Sequence, residues 1–260
     1  MERLQTAWQW LTERWNVGSV LFTGDTDYTW VILGSIALVF IAVWSDKVWD
    51  RVKFSSTLIH EIGHSVMAIL TGRKLHGLKV HSDSSGVSVS SGRDKGLGML
   101  LTVVAGYPAP GLLALLLSFL MSIDYAGMAL TLYHTLLIFG LLSVRNAFGL
   151  WTVLTTILAT IGITVWNDPY AVSITVLVLI IMYGVGGIRG TIALIKVHGA
   201  RWNGAIPKKQ RIEQQKSSKD SDASQASRLT LYAVPTWIWI IGFMLVNVAS
   251  FVLSIWWLLK

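Results

Sequence analysis

Long apolar stretches are the feature that most restricts what this chain can fold into. The stretches at 29–44 and 234–259 contain no charged residue, and each is long enough to cross a hydrocarbon core about 30 Å thick as a helix. Charged residues make up 13% of the 260-residue chain and hydrophobic residues 53%, whereas a soluble domain carries about a quarter charged residues. The sequence therefore predicts an integral membrane protein.

The apolar stretches divide into seven expected membrane helices. The second is followed by small and β-branched residues around a Ser/Asp/Gly-rich turn, a pattern that predicts a β-hairpin at the membrane surface. The fold class expected is thus an all-α polytopic membrane protein with about seven transmembrane helices and a small β-hairpin after the second helix. The expected spans are about 29–44, 54–70, 97–121, 126–144, 148–166, 170–186 and 234–259.

An amphipathic helix is predicted at the amino terminus. Leu4, Trp8, Leu11 and Trp15 follow one another at intervals of four, three and four residues, which places them on one face of a helix. Tryptophans on such a face suit the membrane interface, and packing on the protein's own loops is an equally good interpretation. We assign residues 1–28 to this interfacial segment.

The distribution of positive charge predicts an orientation in the membrane. Residues 187–232 form a basic and polar segment whose composition is typical of a partly flexible loop, and Lys/Arg-rich loops usually face the cytoplasm. Counting back through the expected helices places the hairpin and the amino terminus on the same side. The organisation expected is then the segment 1–28, a membrane core at 29–186, this cytoplasmic loop, and a last transmembrane helix at 233–260. Because most of the net charge of +7 is concentrated in this loop, no nucleic-acid partner is expected.

The stretch LIHEIGHSVMAIL, at positions 58–70, places three ionisable side chains within an expected span. His60 and His64 are four residues apart and therefore lie on one face of a helix. Two such imidazoles can hold a divalent metal ion, and Glu61 can act as general base on a water bound to it, as in the H-E-x-x-H zinc hydrolases. Unpaired ionisable groups are costly inside a membrane, so this interpretation outweighs simple hydrogen bonding between helices. The chain has no cysteine, which leaves His, Asp, Glu and Asn as metal ligands.

Five motifs, taken together in chain order, resemble those of one family. The order is similar to that of the M50 metallopeptidases, the site-2-protease type of intramembrane zinc peptidase, and most closely to the M50B-like bacterial branch. The resemblance covers about residues 55–245. The motifs read HEIGH (60–64), VHSDSSG (80–86), AGYPAP (105–110), RNAFG (145–149) and SDASQASRLT (221–230).

This resemblance implies a function and a location. The function is that of an intramembrane zinc metalloprotease hydrolysing peptide bonds of membrane-embedded or membrane-proximal substrates. His60 and His64 are implied as ligands of Zn²⁺, and Glu61 as the catalytic base that activates a zinc-bound water. The implied location is a bacterial plasma membrane, where the partners are the lipid bilayer and a transmembrane or membrane-proximal protein substrate.

The third metal ligand is left open between two residues. The family usually supplies it as an Asp in an L-D-G motif, which this chain lacks. Asn146 of RNAFG holds the comparable place in chain order and is also a candidate for positioning a substrate by hydrogen bonding. Asp222 matches the first acid of the family's late SDADQ-type stretch, and its carboxylate is the better zinc ligand. We expect Asp222 as third ligand, with Asn146 as the alternative, although capping of the last helix is an equally good role for Asp222.

Two other function classes, a silent scaffold and a transporter, are alternatives to the protease. A catalytically silent M50-like membrane scaffold or regulatory protein is favoured by the missing L-D-G motif and opposed by the complete HEIGH motif. A transporter would be expected to show duplicated halves with discontinuous helices in matching positions. The sequence shows no such duplication, so the silent scaffold is the alternative that we retain.

Overall fold

The computed structural model describes residues 2–19, 26–199 and 217–260. The two strands lie between the third and fourth helices and pair antiparallel, which confirms the expected hairpin. The strands are β1 (Lys74–Val80) and β2 (Gly86–Ser91). The helices are α1 (Glu2–Trp15), α2 (Thr26–Trp44), α3 (Asp46–Leu70), α4 (Leu97–Val104), α5 (Ala109–Ser122), α6 (Ala126–Ser143), α7 (Ala147–Trp166), α8 (Pro169–Gly199), α9 (Asp222–Leu229) and α10 (Thr236–Leu258).

The seven expected membrane spans are not confirmed. Within the described part of the chain, four helices are long and apolar enough to cross a membrane, namely α6, α7, α8 and α10. The bent pair of α4 and α5 passes the same test and raises this number to five. Helix α3 contains the expected span 54–70 but is not in this set, because its first turns are charged and the polar HEIGH motif lies at its centre.

Helix α3 begins earlier than the sequence predicts. Ser45 has the extended backbone angles of a residue preceding a helix, and Asp46 places an acidic side chain in the first turn, where it stabilises the helix dipole. The charged residues 46–53 are therefore helical and not a turn. At the other end, Gly72 adopts a φ of +75°, a left-handed conformation that favours glycine at helix ends. The helix thus ends where the sequence predicts.

The expected third span is broken into α4 and α5, which are bent by 75° relative to each other. Pro108, at the break, has no backbone N–H and restricts the residue before it. The carbonyl of that residue, Tyr107, accepts a hydrogen bond from the side-chain amide of Asn247 in α10, at 3.1 Å. The break lets the backbone at Gly106 approach the histidines of α3.

The centre of the bundle is formed by α5, α8 and α10. Asn247 of α10 is fully buried among them, and its Nδ2 donates to Thr191 Oγ1 at 3.1 Å. Gly111 and Gly187 make room for this amide, because a Cβ at these positions would lie 2.3 and 2.2 Å from Asn247 Oδ1. Hydrogen bonds of this kind, between small residues that allow close packing, are typical of helices in membranes.

The sequence predicts a basic loop from residue 187, but the first part of this segment is helical in the structure. Helix α8 continues to Gly199, because the stretch after 187 keeps apolar helix-forming residues between its cations. Arg189, near the start of this extension, forms an ion pair with Asp46 of α3. Residues 200–216 lie outside the described part of the chain. The end of the segment forms α9.

Helix α1 is present and contacts the bundle at the start of α6. The backbone N–H of Gly127 donates to the carbonyl of Val17 at 2.9 Å. The ring of Trp15 packs edge-on against Trp8, with 5.7 Å between ring centroids, and Trp8 is 60% exposed. Placement of this tryptophan face in a membrane interface stays a prediction.

Candidate metal centre

Two histidines of α3 and one aspartate of α9 converge on a single point. The Nε2 atoms of His60 and His64 lie 3.1 Å apart. Oδ2 of Asp222 lies 3.2 Å from each of these nitrogens. The three atoms therefore form a nearly equilateral triangle, which we call the ligand triangle.

The ligand triangle fits a catalytic zinc ion in both chemistry and size. Two imidazoles and one carboxylate leave a fourth position open, as catalytic zinc requires, and ligand atoms held about 2.0–2.1 Å from a tetrahedral ion lie roughly 3.3 Å apart. Apart from the two imidazole nitrogens, Oδ2 of Asp222 is buried without a hydrogen-bond partner among the described residues. A cation at the triangle would satisfy this oxygen.

Thr102 of α4 orients one of the two imidazoles. Nδ1 of His64 lies 2.7 Å from the carbonyl oxygen of Thr102. With a cation at the ligand triangle, Nδ1 would carry the proton and donate to this carbonyl, and the lone pair of Nε2 would face the cation. A second hydrogen bond of this kind is typical of metal-binding histidines and fixes the ring.

The charge of Asp222 suits a divalent cation. Burial alone would raise the pKa of this carboxyl, but the adjacent imidazole of His64 and hydrogen bonding to both histidines outweigh burial. The pKa of Asp222 is held well below its ordinary value, so the carboxyl is ionised.

Glu61 is buried beside the ligand triangle, with 3% of its surface exposed. Its carboxylate packs against the first residue of β2, since a Cβ at Gly86 would lie 2.3 Å from Oε1. Oε2 has no hydrogen-bond partner among the described residues. A buried carboxylate oxygen needs a donor, and a water molecule next to the triangle would provide one.

A cavity of about 800 Å³ opens onto Glu61 and the ligand triangle. Its volume lies in the range of sites that hold small molecules. The hairpin turn at 83–87 lines it, as do α8 and the residues 220–222 that lead into α9. A second cavity, of about 710 Å³ among α3, α6, α7 and α8, includes none of the triangle residues. The first cavity therefore connects the buried carboxylate of Glu61 to the space between the hairpin turn and α8.

The comparisons with known proteins agree with this geometry. The profile of the family described as Peptidase M50B-like matches residues 33–254, a range that contains all five motifs. The chain belongs to the Peptidase M50B-like family. Neither the comparison with curated proteins nor that with solved structures finds a match. Family membership supports a membrane metallopeptidase.

Asn146, the alternative third ligand, is not part of the ligand triangle. Its Nδ2 donates to the carbonyl of Val80 at 2.7 Å, and its Oδ1 accepts from the N–H of Val80 at 3.2 Å. Both polar atoms of the side chain are thus used by β1. Asp222 does not cap the last helix, because Pro235 holds the N-cap position of α10. Asp222 lies instead in the first turn of α9, which the side chain of Ser221 caps by accepting from Ser224 N at 3.3 Å.

Sequence reasoning did not single out Gly106 and Tyr107, which form the walls of the candidate metal centre in this M50B-like protein. A Cβ at Gly106 would lie 2.3 Å from Nε2 of His64 and 2.7 Å from Nε2 of His60. The ring of Tyr107 packs edge-on against His60 at 4.7 Å and stacks on Phe243 at 5.3 Å. The sequence signal for this wall is the glycine of AGYPAP, because a residue without a side chain allows the backbone to approach the two imidazoles closely.

We expect Gly106→Ala to weaken zinc binding at least about tenfold, the lower end of what disturbing the surroundings of a metal ligand does. The added methyl group needs the space that the two imidazoles occupy, so both rings must turn. Zinc content of the detergent-purified variant, measured during titration with a chelator, checks this. Gly162→Ala is the matched control, because a Cβ there has no neighbour within 4 Å, and it should bind zinc as the wild type does. Unchanged zinc affinity in Gly106→Ala would contradict the conclusion that Gly106 lies against the metal-binding imidazoles.

Proposed function

We propose that the protein is an intramembrane zinc metalloprotease that cuts transmembrane or membrane-proximal segments of other proteins. The convergence of His60, His64 and Asp222 beside the buried Glu61 is the observation that carries this proposal. Membership in the Peptidase M50B-like family supports the reaction class. The location of these residues on helices of a membrane bundle supports a substrate that is itself in or near the membrane.

Each residue of the centre has a role in amide hydrolysis. His60, His64 and Asp222 would hold Zn²⁺, which when bound polarises the scissile carbonyl and acidifies a nearby water. Glu61 accepts a proton from the water as its oxygen bonds to the carbonyl carbon. Glu61 then gives this proton to the amine nitrogen as the C–N bond breaks. The products are a carboxylic acid and an amine.

An extended substrate fits the surroundings of the centre. Strand β2 pairs only with β1 within the described residues, so its other edge offers backbone donors and acceptors. A peptide that adds to such an edge is held by main-chain hydrogen bonds. The first residue of β2, Gly86, contacts Glu61, which places the edge close to the general base. A transmembrane substrate helix would have to unwind locally before binding there.

The orientation in the membrane is also a proposal. We place the protein in a bacterial plasma membrane, with the amino terminus, the hairpin and the basic segment 187–232 in or facing the cytoplasm, because Lys/Arg-rich loops usually do. The hairpin turn and residues 217–222 line the same cavity, which supports a common side for the two. The missing L-D-G motif was the argument for a silent scaffold, and the position of Asp222 supplies a carboxylate in its place.

We expect purified protein to carry about one zinc ion per chain and His64→Ala to lose it. The measurement is elemental analysis of detergent-purified protein, together with cleavage of a model transmembrane substrate. His134→Ala is the matched control, because His134 is a buried histidine of α6 that binds Thr160 Oγ1 at 2.9 Å, away from the centre. It should keep both zinc and activity. Negligible zinc in wild type and His64→Ala alike would remove the proposed function.

A further inference from the structure

We infer that Asn146 is a positioning residue that holds the hairpin against Glu61 and does not bind the metal. The catalytic meaning of this inference rests on the proposed function. The anchoring concerns only the packing between the start of α7 and the hairpin. It can therefore be measured whether or not the protein is a protease.

The side chain of Asn146 has an unusual use for its position. Asn146 immediately precedes α7, and asparagine there commonly accepts a hydrogen bond from the first turn of the helix. Its side chain makes no such bond. Instead, the amide group both donates to and accepts from the backbone of Val80. It thereby pairs with the outer edge of β1 as a neighbouring strand would.

The residues next to Asn146 attach to the same edge. The N–H of Arg145 donates to the carbonyl of Leu78 at 2.9 Å, and Val144 forms a parallel bridge with Leu78. The glycine of RNAFG is required by this attachment, because a Cβ at Gly149 would lie 2.6 Å from Oδ1 of Asn146. The motif therefore works as a clamp on β1. This role is structural and differs from metal binding and from catalysis.

The clamp is connected to the catalytic base by direct contacts. Val80 pairs with Gly86 across the hairpin, and Gly86 packs against the carboxylate of Glu61. Further along β2, the hydroxyls of Ser88 and Ser65 lie 2.9 Å apart and join the strand to α3. Val80 is fully buried, so removing the Asn146 amide leaves two buried backbone groups without partners, and unpaired buried groups favour rearrangement. The end of the hairpin that touches Glu61 would move away.

The first experiment separates positioning from metal binding. Asn146→Leu keeps the size of the side chain but loses both hydrogen bonds. We expect this variant to retain full zinc content and to show little change in KM. Its kcat should fall about 10- to 100-fold, the range typical of lost supporting contacts around a metal site. Asn16→Leu is the matched control, because Asn16 is an exposed asparagine that follows α1 and lies outside the clamp, so kcat should be unchanged. Loss of zinc from Asn146→Leu would overturn the inference by making Asn146 a ligand.

The second experiment replaces the clamp with a disulfide. The described chain and the full sequence contain no cysteine, so Ser65→Cys and Ser88→Cys introduce a single pair at hydroxyls that are 2.9 Å apart. We expect Asn146→Leu to slow disulfide formation in this pair several-fold, because the hairpin spends less time on α3. Once formed, the disulfide should restore kcat of Asn146→Leu to that of the cysteine pair alone. If Asn146→Leu does not fold, Asn146→Ser in the oxidised pair replaces it, with the same expected recovery.

The two readouts distinguish failure of this inference from failure of the proposed function. An unchanged rate of disulfide formation overturns the anchoring, whether or not the protein is a protease. A formed disulfide that leaves kcat low also overturns it, because Asn146 would then act on the substrate directly. Absence of cleavage by wild-type protein removes the proposed function, and the disulfide rates still decide whether Asn146 holds the hairpin.

Discussion

Glu61→Gln is expected to reduce peptide hydrolysis by about 10²- to 10⁴-fold, the contribution of a positioned general base, while zinc stays bound. Glutamine has nearly the same shape as glutamate, but its amide cannot accept a proton from the attacking water. The side chain is 3% exposed, and the other two acids of α3, Asp46 and Asp50, do not line the cavity beside the ligand triangle, so neither is placed to replace it.

The measurement for this variant is cleavage of a model transmembrane substrate in detergent, normalised to bound zinc. Glu13→Gln is the matched control, because Glu13 is an exposed residue of α1 and its substitution should leave the rate unchanged. A zinc-loaded Glu61→Gln protein that cuts as fast as wild type would exclude Glu61 as the base and, with it, the mechanism that we propose.

Asp222→Asn is expected to weaken zinc binding by about 100-fold or more, at or above the largest effects seen for residues around metal ligands. The substitution keeps the shape of the side chain but replaces a carboxylate by a neutral amide, which is a poor zinc ligand. Oδ2 of Asp222 is the atom that completes the ligand triangle with His60 and His64. Activity should fall with zinc occupancy and recover in part when zinc is added in excess.

Zinc affinity, measured by competition with a chelator, checks this expectation. Asp220→Asn provides the control, because Asp220 is an exposed acid two residues earlier that lines the same cavity and lies outside the ligand triangle. It should bind zinc as the wild type does. Full zinc affinity in Asp222→Asn would show that another group completes the site.

The part of the candidate metal centre that lies within one helix follows from the sequence alone. His60 and His64 share a face of α3 because the helix repeat places residues four apart above one another, and this depends on no other element. Gly72 marks the end of α3 for an equally local reason. The hairpin also follows from its own residues, since a polar turn lies between two short apolar runs.

Contacts between distant segments were not predictable in the same way. The approach of Gly106 to both imidazoles depends on the 75° bend between α4 and α5, and prolines predict a distortion but not its angle. The pairing of Asn146 with Val80 joins segments that local patterns treat separately. The expected number of seven spans is not confirmed among the described residues. Hydropathy averages over the whole surface of a helix, whereas α3 carries polar groups toward a protein interior.

The metal centre takes its ligands from early and late parts of the chain. His60 and His64 lie in the first third of the 260 residues, and Asp222 lies in the last fifth. During synthesis, the ribosome completes α3 long before it adds the carboxylate, and until then only two imidazoles are available for zinc. Under the proposed function, a chain that is still being synthesised would lack the third candidate ligand, and with it hydrolytic activity, until residue 222 has been added.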